Sequence, residues 1–159
     1  MKNVLVAYLN GSSAIVKMAD YIAEGIRLSS QQATVVKIED IVGAGEIRDY
    51  AGYIFGSATY SPDIINPMNI FFIMADKAGL AGKVGTAFGP LTSDILYSNI
   101  TQAPTLIFGH LQHVLRMKPF GQGPFNLKEG MVDSNEGIKT CRNYGRAFGL
   151  KLDLPIGRE

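Results

Sequence analysis

The stretch Tyr53–Ser61, YIFGSATYS, limits the possible folds more than any other part of the chain. Tyr53, Ile54 and Phe55 are bulky strand formers with no charge among them. Gly56 ends the run, and small residues, mostly hydroxyls, follow before Pro62. An uncharged strand that stops at glycine and serine suits the buried centre of a parallel sheet, feeding a surface loop. In open α/β sheets, ligands bind just past the carboxyl ends of such strands, where strand order reverses. Ser57, Thr59 and Ser61, with the ring of Tyr60, make a set able to hold a flat polar ring system. The same residues also read as a plain Gly/Ser turn with a surface tyrosine, and the stretch alone admits both.

The flanking chain repeats the strand–loop–helix theme. Asn3–Tyr8 (NVLVAY) reads as a first buried strand, and Leu9–Ser13 as its turn. Ile15, Met18, Ala19, Ile22 and Ile26 recur at helical spacing, with Ser12 or Ser13 as the N-cap. Amides at that helix start, with the helix dipole, could bind a phosphate; equally, the serines could only cap. No G-x-G-x-x-G or P-loop pattern is present. Ala33–Ile38 is a second, more polar strand that belongs at an edge. Asn66 and Pro67 open a helix whose apolar face is Met68, Phe71, Phe72 and Ala75, and Gly79 stops it. Lys83–Gly89 is a fourth strand with Pro90–Ser93 as its exit loop. Ile95–Leu115 carries no Lys, Arg, Asp or Glu and reads as two helical pieces broken near Pro104. Asn99, Gln102, Pro104 and Gly109 interrupt it too often for a membrane span. His110 and His113 have no acidic or cysteine neighbour in sequence, which favours a structural role over metal binding. A short fifth strand is expected within Leu115–Phe120, followed by a Gly/Pro loop. A closing helix is expected over Asp133–Leu152, with Asp133 and Glu136 as a capping box and Cys141 inside.

Composition narrows the function classes. With 159 residues, one domain spanning residues 1–159 is the expectation. A formal net charge of +1 points to neither nucleic acid nor an anionic membrane as partner. Between Ala51 and Gly109 only Asp63, Asp76, Lys77, Lys83 and Asp94 are charged, so this half should supply much of the core. One cysteine builds neither a disulfide framework nor a cysteine metal site within the chain, which fits a reducing compartment. The run at Met1–Leu9 is too short for a signal-peptide core, so a cytoplasmic location is expected.

Alternating strands and helices predict a doubly wound parallel α/β sheet with helices on both faces. Asn3–Tyr8 with Asn10–Ser13, Gly56-Ser57-Ala58-Thr59, Lys83–Gly89 and Cys141–Arg146 together resemble the flavodoxin-like proteins. The third-strand exit resembles the G-[ST]-P-T loop of flavodoxin-like quinone reductases and of the flavodoxin domain of flavodiiron proteins, with Ala58 in place of the proline. The resemblance covers nearly the whole chain and implies five strands in the order 2-1-3-4-5. It implies FMN as cofactor. Asn10, Gly11, Ser12 and Ser13 would hold the phosphate. Ser57, Ala58, Thr59 and Tyr60 would line the ring, with Pro90, Leu91, Thr92 and Ser93 on its other side. Tyr60 would stack on or edge the ring, with Tyr97 a weaker candidate.

The function implied is an FMN-binding redox protein, in which the cofactor carries the chemistry and no side chain need act as acid, base or nucleophile. It could serve as an electron carrier docking on a redox partner protein, or as a reductase of small quinones or flavins using a nicotinamide donor. Ala14 and Ile15 stand where such phosphate loops carry a hydroxyl at the helix start. This leaves a second class open: a flavodoxin-fold protein without FMN that serves as a binding or assembly module. Leu106, Phe108, Leu111 and Leu115 are hard to place in one core, so residues 95–115 either offer a homo-oligomer contact near the flavin site or fill a larger core than the sequence lets one count.

Overall fold

The computed structural model describes residues 1–59, 66–91 and 102–154. Within them the strands are β1 (Asn3–Tyr8), β2 (Gln32–Lys37), β3 (Gly52–Gly56), β4 (Val84–Leu91), β5 (Lys118–Pro119) and β6 (Phe125–Lys128). The helices are α1 (Ser13–Leu28), α2 (Asn66–Ala78), α3 (Ala103–His113) and α4 (Asn135–Lys151). All the strand pairings among them are parallel, in the predicted order β2-β1-β3-β4-β5. β2 lies at the edge, as its polar sequence predicts.

The fifth position departs from the expectation of one strand followed by a loop. It is shared by two short strands on the same side of β4. β5 pairs with Val84 and Gly85, and β6 pairs with Phe88–Leu91. Gly121, Gly123 and Pro124 break the ladder between them. Tyr144 on α4 holds this break: its hydroxyl reaches Thr86 Oγ1 at 2.7 Å and Gly123 O at 2.5 Å, and its ring stacks on Phe125.

Two further boundaries differ. Pro90 and Leu91, expected in an exit loop, belong to β4. The reason is geometric. Phe88 O accepts from Ser57 N, so residue 88, and with it residue 90, directs its backbone groups toward β3. β3 has ended at Gly56, so the missing N–H of Pro90 breaks no ladder bond. Pro104 stands in the first turn of α3, where its missing N–H is harmless, and the piece expected before it lies outside the described residues. The last helix is capped by Ser134, whose Oγ accepts from Gly137 N at 3.0 Å, while Asp133 pairs with Lys17 at 2.8 Å.

Side-chain alternation along the strands divides the core between the two faces of the sheet. Leu5, Ala7, Tyr53, Phe55 and Ala87 face α2 and α3, meeting Phe71, Phe72, Ile107 and Leu111. Val4, Val6, Ile54 and Phe88 face α1 and α4, meeting Ile15, Met18, Ile22, Cys141 and Phe148. The helical stripe predicted for α1 is the one buried. The apolar stretch at α3 is largely absorbed by the first layer. Ile107, Leu111 and Leu115 are inside, Phe108 packs against them, and His110 stacks on Phe72 at 3.9 Å. Residues 95–101 of that stretch lie outside the described residues.

α1 and α4 touch backbone to backbone. A Cβ on Gly145 would sit 2.0 Å from Ile22 O, and one on Gly25 would sit 2.0 Å from Arg142 O. The Arg142–Glu24 ion pair flanks this contact at 2.6 Å but is half exposed, so packing rather than charge holds the helices together. Gly145→Ala is therefore expected to lower unfolding free energy by about 1–3 kcal/mol in urea titrations. Gly109→Ala is the contrast, because a Cβ there meets open space; it should be neutral or stabilise by up to about 1 kcal/mol. Burial pushes the Cys141 thiol up to about 12. At pH 8 it should react with a thiol reagent only as fast as the protein unfolds, and labelling as fast as a free thiol would contradict its position.

Candidate functional site

Strand order reverses between β1 and β3. From β1 the chain crosses to β2 on one side, then returns to β3 on the other. The carboxyl ends of β1, β3 and β4 reach one level, with Tyr8 opposite Gly56 and Gly56 opposite Phe88. The ties continue past the strand ends. Leu9 N donates to Gly56 O at 2.9 Å, and Ser57 N donates to Phe88 O at 3.1 Å. The chain segments leaving β1, β3 and β4 are thereby neighbours at this end of the sheet. Tyr60, Thr92 and Ser93, and Tyr97 with them, lie outside the described residues.

The first loop is open. Asn10, Gly11 and Ser13 are exposed, and Ser12 is half-buried. Ser12 is the N-cap of α1, its Oγ accepting from Ile15 N at 3.4 Å. The amides of Gly11, Ser13 and Ala14 have no hydrogen-bond partner among the described residues. Ser13 and Ala14 thus carry two of the orphan donors that open any helix, at the positive end of the α1 dipole.

The third-strand exit is more enclosed than a surface loop. Ser57, Ala58 and Thr59 are buried. The Ser57 hydroxyl donates to Ala58 O at 2.8 Å. Thr59 Oγ1 accepts from Ala103 N at 2.7 Å and lies 3.2 Å from Gln102 Oε1. Thr59 thus caps α3 from a distance in sequence, a role that reading the loop alone does not reveal. Gly89 makes the close packing possible, since a Cβ there would lie 2.1 Å from Ser57 O. What Ser57–Thr59 present to a ligand is backbone and compact surface, because both hydroxyls there already have partners.

Two residues missed in sequence border the site. Glu39, in the short turn Ile38–Asp40 after β2, accepts from Asn10 N at 3.1 Å. The strand order carries the signal for it: a strand paired beside β1 must release its chain beside the first loop. Asn126, on β6 opposite Gly89, holds a buried Oδ1 without a hydrogen-bond partner among the described residues. Tyr8, the last residue of β1, is buried. Its hydroxyl is pushed up chiefly by burial and further by the charges of Asp20, Glu39 and Asp40. The described residues contain no cluster of groups able to hold a metal ion, and no helix among them is long and apolar enough to cross a membrane. An open groove of about 560 Å³ runs along the β2 edge past Val36, Ile41 and Tyr50, and no sequence-predicted site residue lines it.

The architecture is the flavodoxin-like one. A flavodoxin from the domain Archaea superposes with a TM-score of 0.79 at 21% identity, over 96% of this chain and 99% of that one. The flavodiiron protein from Giardia intestinalis superposes with a TM-score of 0.79 at 16% identity, over 96% of this chain but 36% of that protein. Flavodoxin 1 from Bacillus cereus gives 0.75 at 24% identity, over 92% of this chain and 96% of the other. At these identities the shared property is the fold. No protein-family model matches the chain, and no curated protein matches it in sequence.

Thr59→Ala should remove the α3 cap and leave Ala103 N without a partner. Unfolding free energy should fall by about 0.5–2 kcal/mol in denaturant titrations, the range for a lost N-cap. An unchanged midpoint would show that the hydroxyl contact carries no stability.

Proposed function

We propose that the crevice over β1, β3 and β4 holds FMN and that the protein is a flavin-dependent redox protein. The observation that carries this reading is the meeting of three strand exits at the point of strand reversal, with amides at the α1 start that have no partner among the described residues. The donor set fits the group. The Gly11, Ser13 and Ala14 amides and the Ser13 hydroxyl can coordinate phosphate oxygens without any lysine or arginine, as helix N-termini do elsewhere. Asn10 and Ser12 shape that loop. Ser57, Ala58 and Thr59 supply a tightly packed wall for the ring through backbone and Cβ atoms. Tyr60 is assigned to the ring face, and Pro90, Leu91, Thr92 and Ser93 to its other side.

Bound FMN would supply one- or two-electron transfer; the chain's part is to bind, orient and exclude water. No side chain in the crevice is assigned a proton-transfer role. A net charge of +1 leaves no strongly acidic overall field for docking on a basic protein carrier. It favours the reductase form of the reading, with a small quinone or flavin as acceptor and a nicotinamide donor.

The test is equilibrium titration of the purified protein with FMN, followed by the visible spectrum and flavin fluorescence. Saturable binding with a perturbed flavin band is expected, and no change at any protein concentration would overturn the proposal. Ser13→Ala removes a phosphate donor without touching the Ser12 cap, and should weaken FMN by about 1–3 kcal/mol, the range for an unpaired polar group. Equal affinity in that variant would place the phosphate elsewhere.

A further inference from the structure

The first loop does not meet solvent with all its amides free. Asn10 N donates to the Glu39 carboxylate at 3.1 Å. This contact follows from topology. β2 is hydrogen-bonded beside β1 with Lys37 opposite Tyr8, so the chain leaves β2 next to the chain leaving β1. Glu39 is the second residue past that exit, and Asn10 the second past the other. A carboxylate and a phosphate seek the same kind of donor, an amide at the mouth of a helix N-terminus. They also repel each other. Residues Asn10–Ser13 contain no cation, and Lys17, one turn into α1, is paired with Asp133 at 2.8 Å. Asp20 and Asp40 add negative charge near the same strand end, where both act on Tyr8.

We propose that Glu39 is a specificity-determining residue of this site, setting how far it distinguishes a flavin bearing a phosphate monoester from the unphosphorylated flavin. The inference rests on the flavin reading above. Glu39 holds the Asn10 amide and places a negative charge beside the loop. A dianionic phosphate must displace or endure that charge, whereas riboflavin, which ends in a neutral hydroxyl, need not. The chain thereby gives up affinity for the phosphorylated form in particular.

The experiment compares FMN and riboflavin binding by fluorescence titration in the unmodified protein, Glu39→Gln and Glu39→Ala. Circular dichroism and a thermal melt establish that each variant is folded. Glu39→Gln keeps an acceptor for Asn10 N and removes only the charge. It should tighten FMN by about 3- to 30-fold, the span of one unit-charge repulsion at close range in a water-exposed setting. Riboflavin should change by less than about twofold. Glu39→Ala should tighten FMN at least as much, because charge and occupant both leave. Raising salt to about 1 M should strengthen FMN binding to the unmodified protein by screening the repulsion, and should do so less in both variants. Equal shifts for the two flavins, or weaker FMN binding in either variant, would overturn the role given to Glu39 while leaving flavin binding intact. Failure of all three proteins to bind either flavin would instead overturn the flavin reading, and this inference with it.

Discussion

Two backbone hydrogen bonds hold the site end of the molecule together: Leu9 N to Gly56 O and Ser57 N to Phe88 O. They extend the parallel ladder one step beyond the strands and bring the exits of β1, β3 and β4 to one level. Without them the three loops would be independent segments that happen to share an end of the sheet. The packing below makes the ties possible. Gly89 lets the β4 backbone approach Ser57 O, and Gly56 admits the edge of the Phe88 ring, which a Cβ there would meet at 2.4 Å. The two faces of the sheet are filled independently, one by α1 and α4, the other by α2 and α3. The crevice is therefore defined by backbone geometry on a rigid support, which is how open α/β sheets place ligands.

Much of this was legible in the sequence, and the parts that were not share a cause. Apolar runs such as Val4–Ala7 and Tyr53–Phe55 are long and uncharged enough to specify buried strands, and helical spacing in α1 names the buried face outright. Right-handed crossovers and the alternation of elements narrowed the topologies, and the family resemblance supplied the order. The misses arose where a residue's role depends on a partner distant in sequence. Pro90 reads as a loop residue until one knows that β3 has already ended beside it. Thr59 reads as a ligand hydroxyl until α3 arrives 44 positions later to claim it. Asp133 and Ser134 are both competent caps, and the choice is settled by Lys17, on another helix, taking the aspartate. The division of the fifth position into β5 and β6 is invisible to periodicity, since two and four residues are too few to show one.

The site has a character that neither the loop sequences nor the fold implies. Among the described residues its donors are mainly backbone amides with the Ser13 hydroxyl, its hydroxyls at Ser57 and Thr59 serve the protein's own architecture, and its border on the β2 side is acidic. Such a site would bind by shape and dipole more than by charge. Its affinity should then depend on small adjustments at the rim, and Glu39 is the residue best placed to make them.

The central claim is that the amides at the start of α1 receive a phosphate. A backbone amide NMR titration with FMN tests it most directly. The account predicts that the resonances of Gly11, Ser13 and Ala14 shift progressively and saturate together, while Gln32–Thr34 at the opposite end of the sheet stay in place. Saturable flavin binding with those three amides unmoved would contradict it.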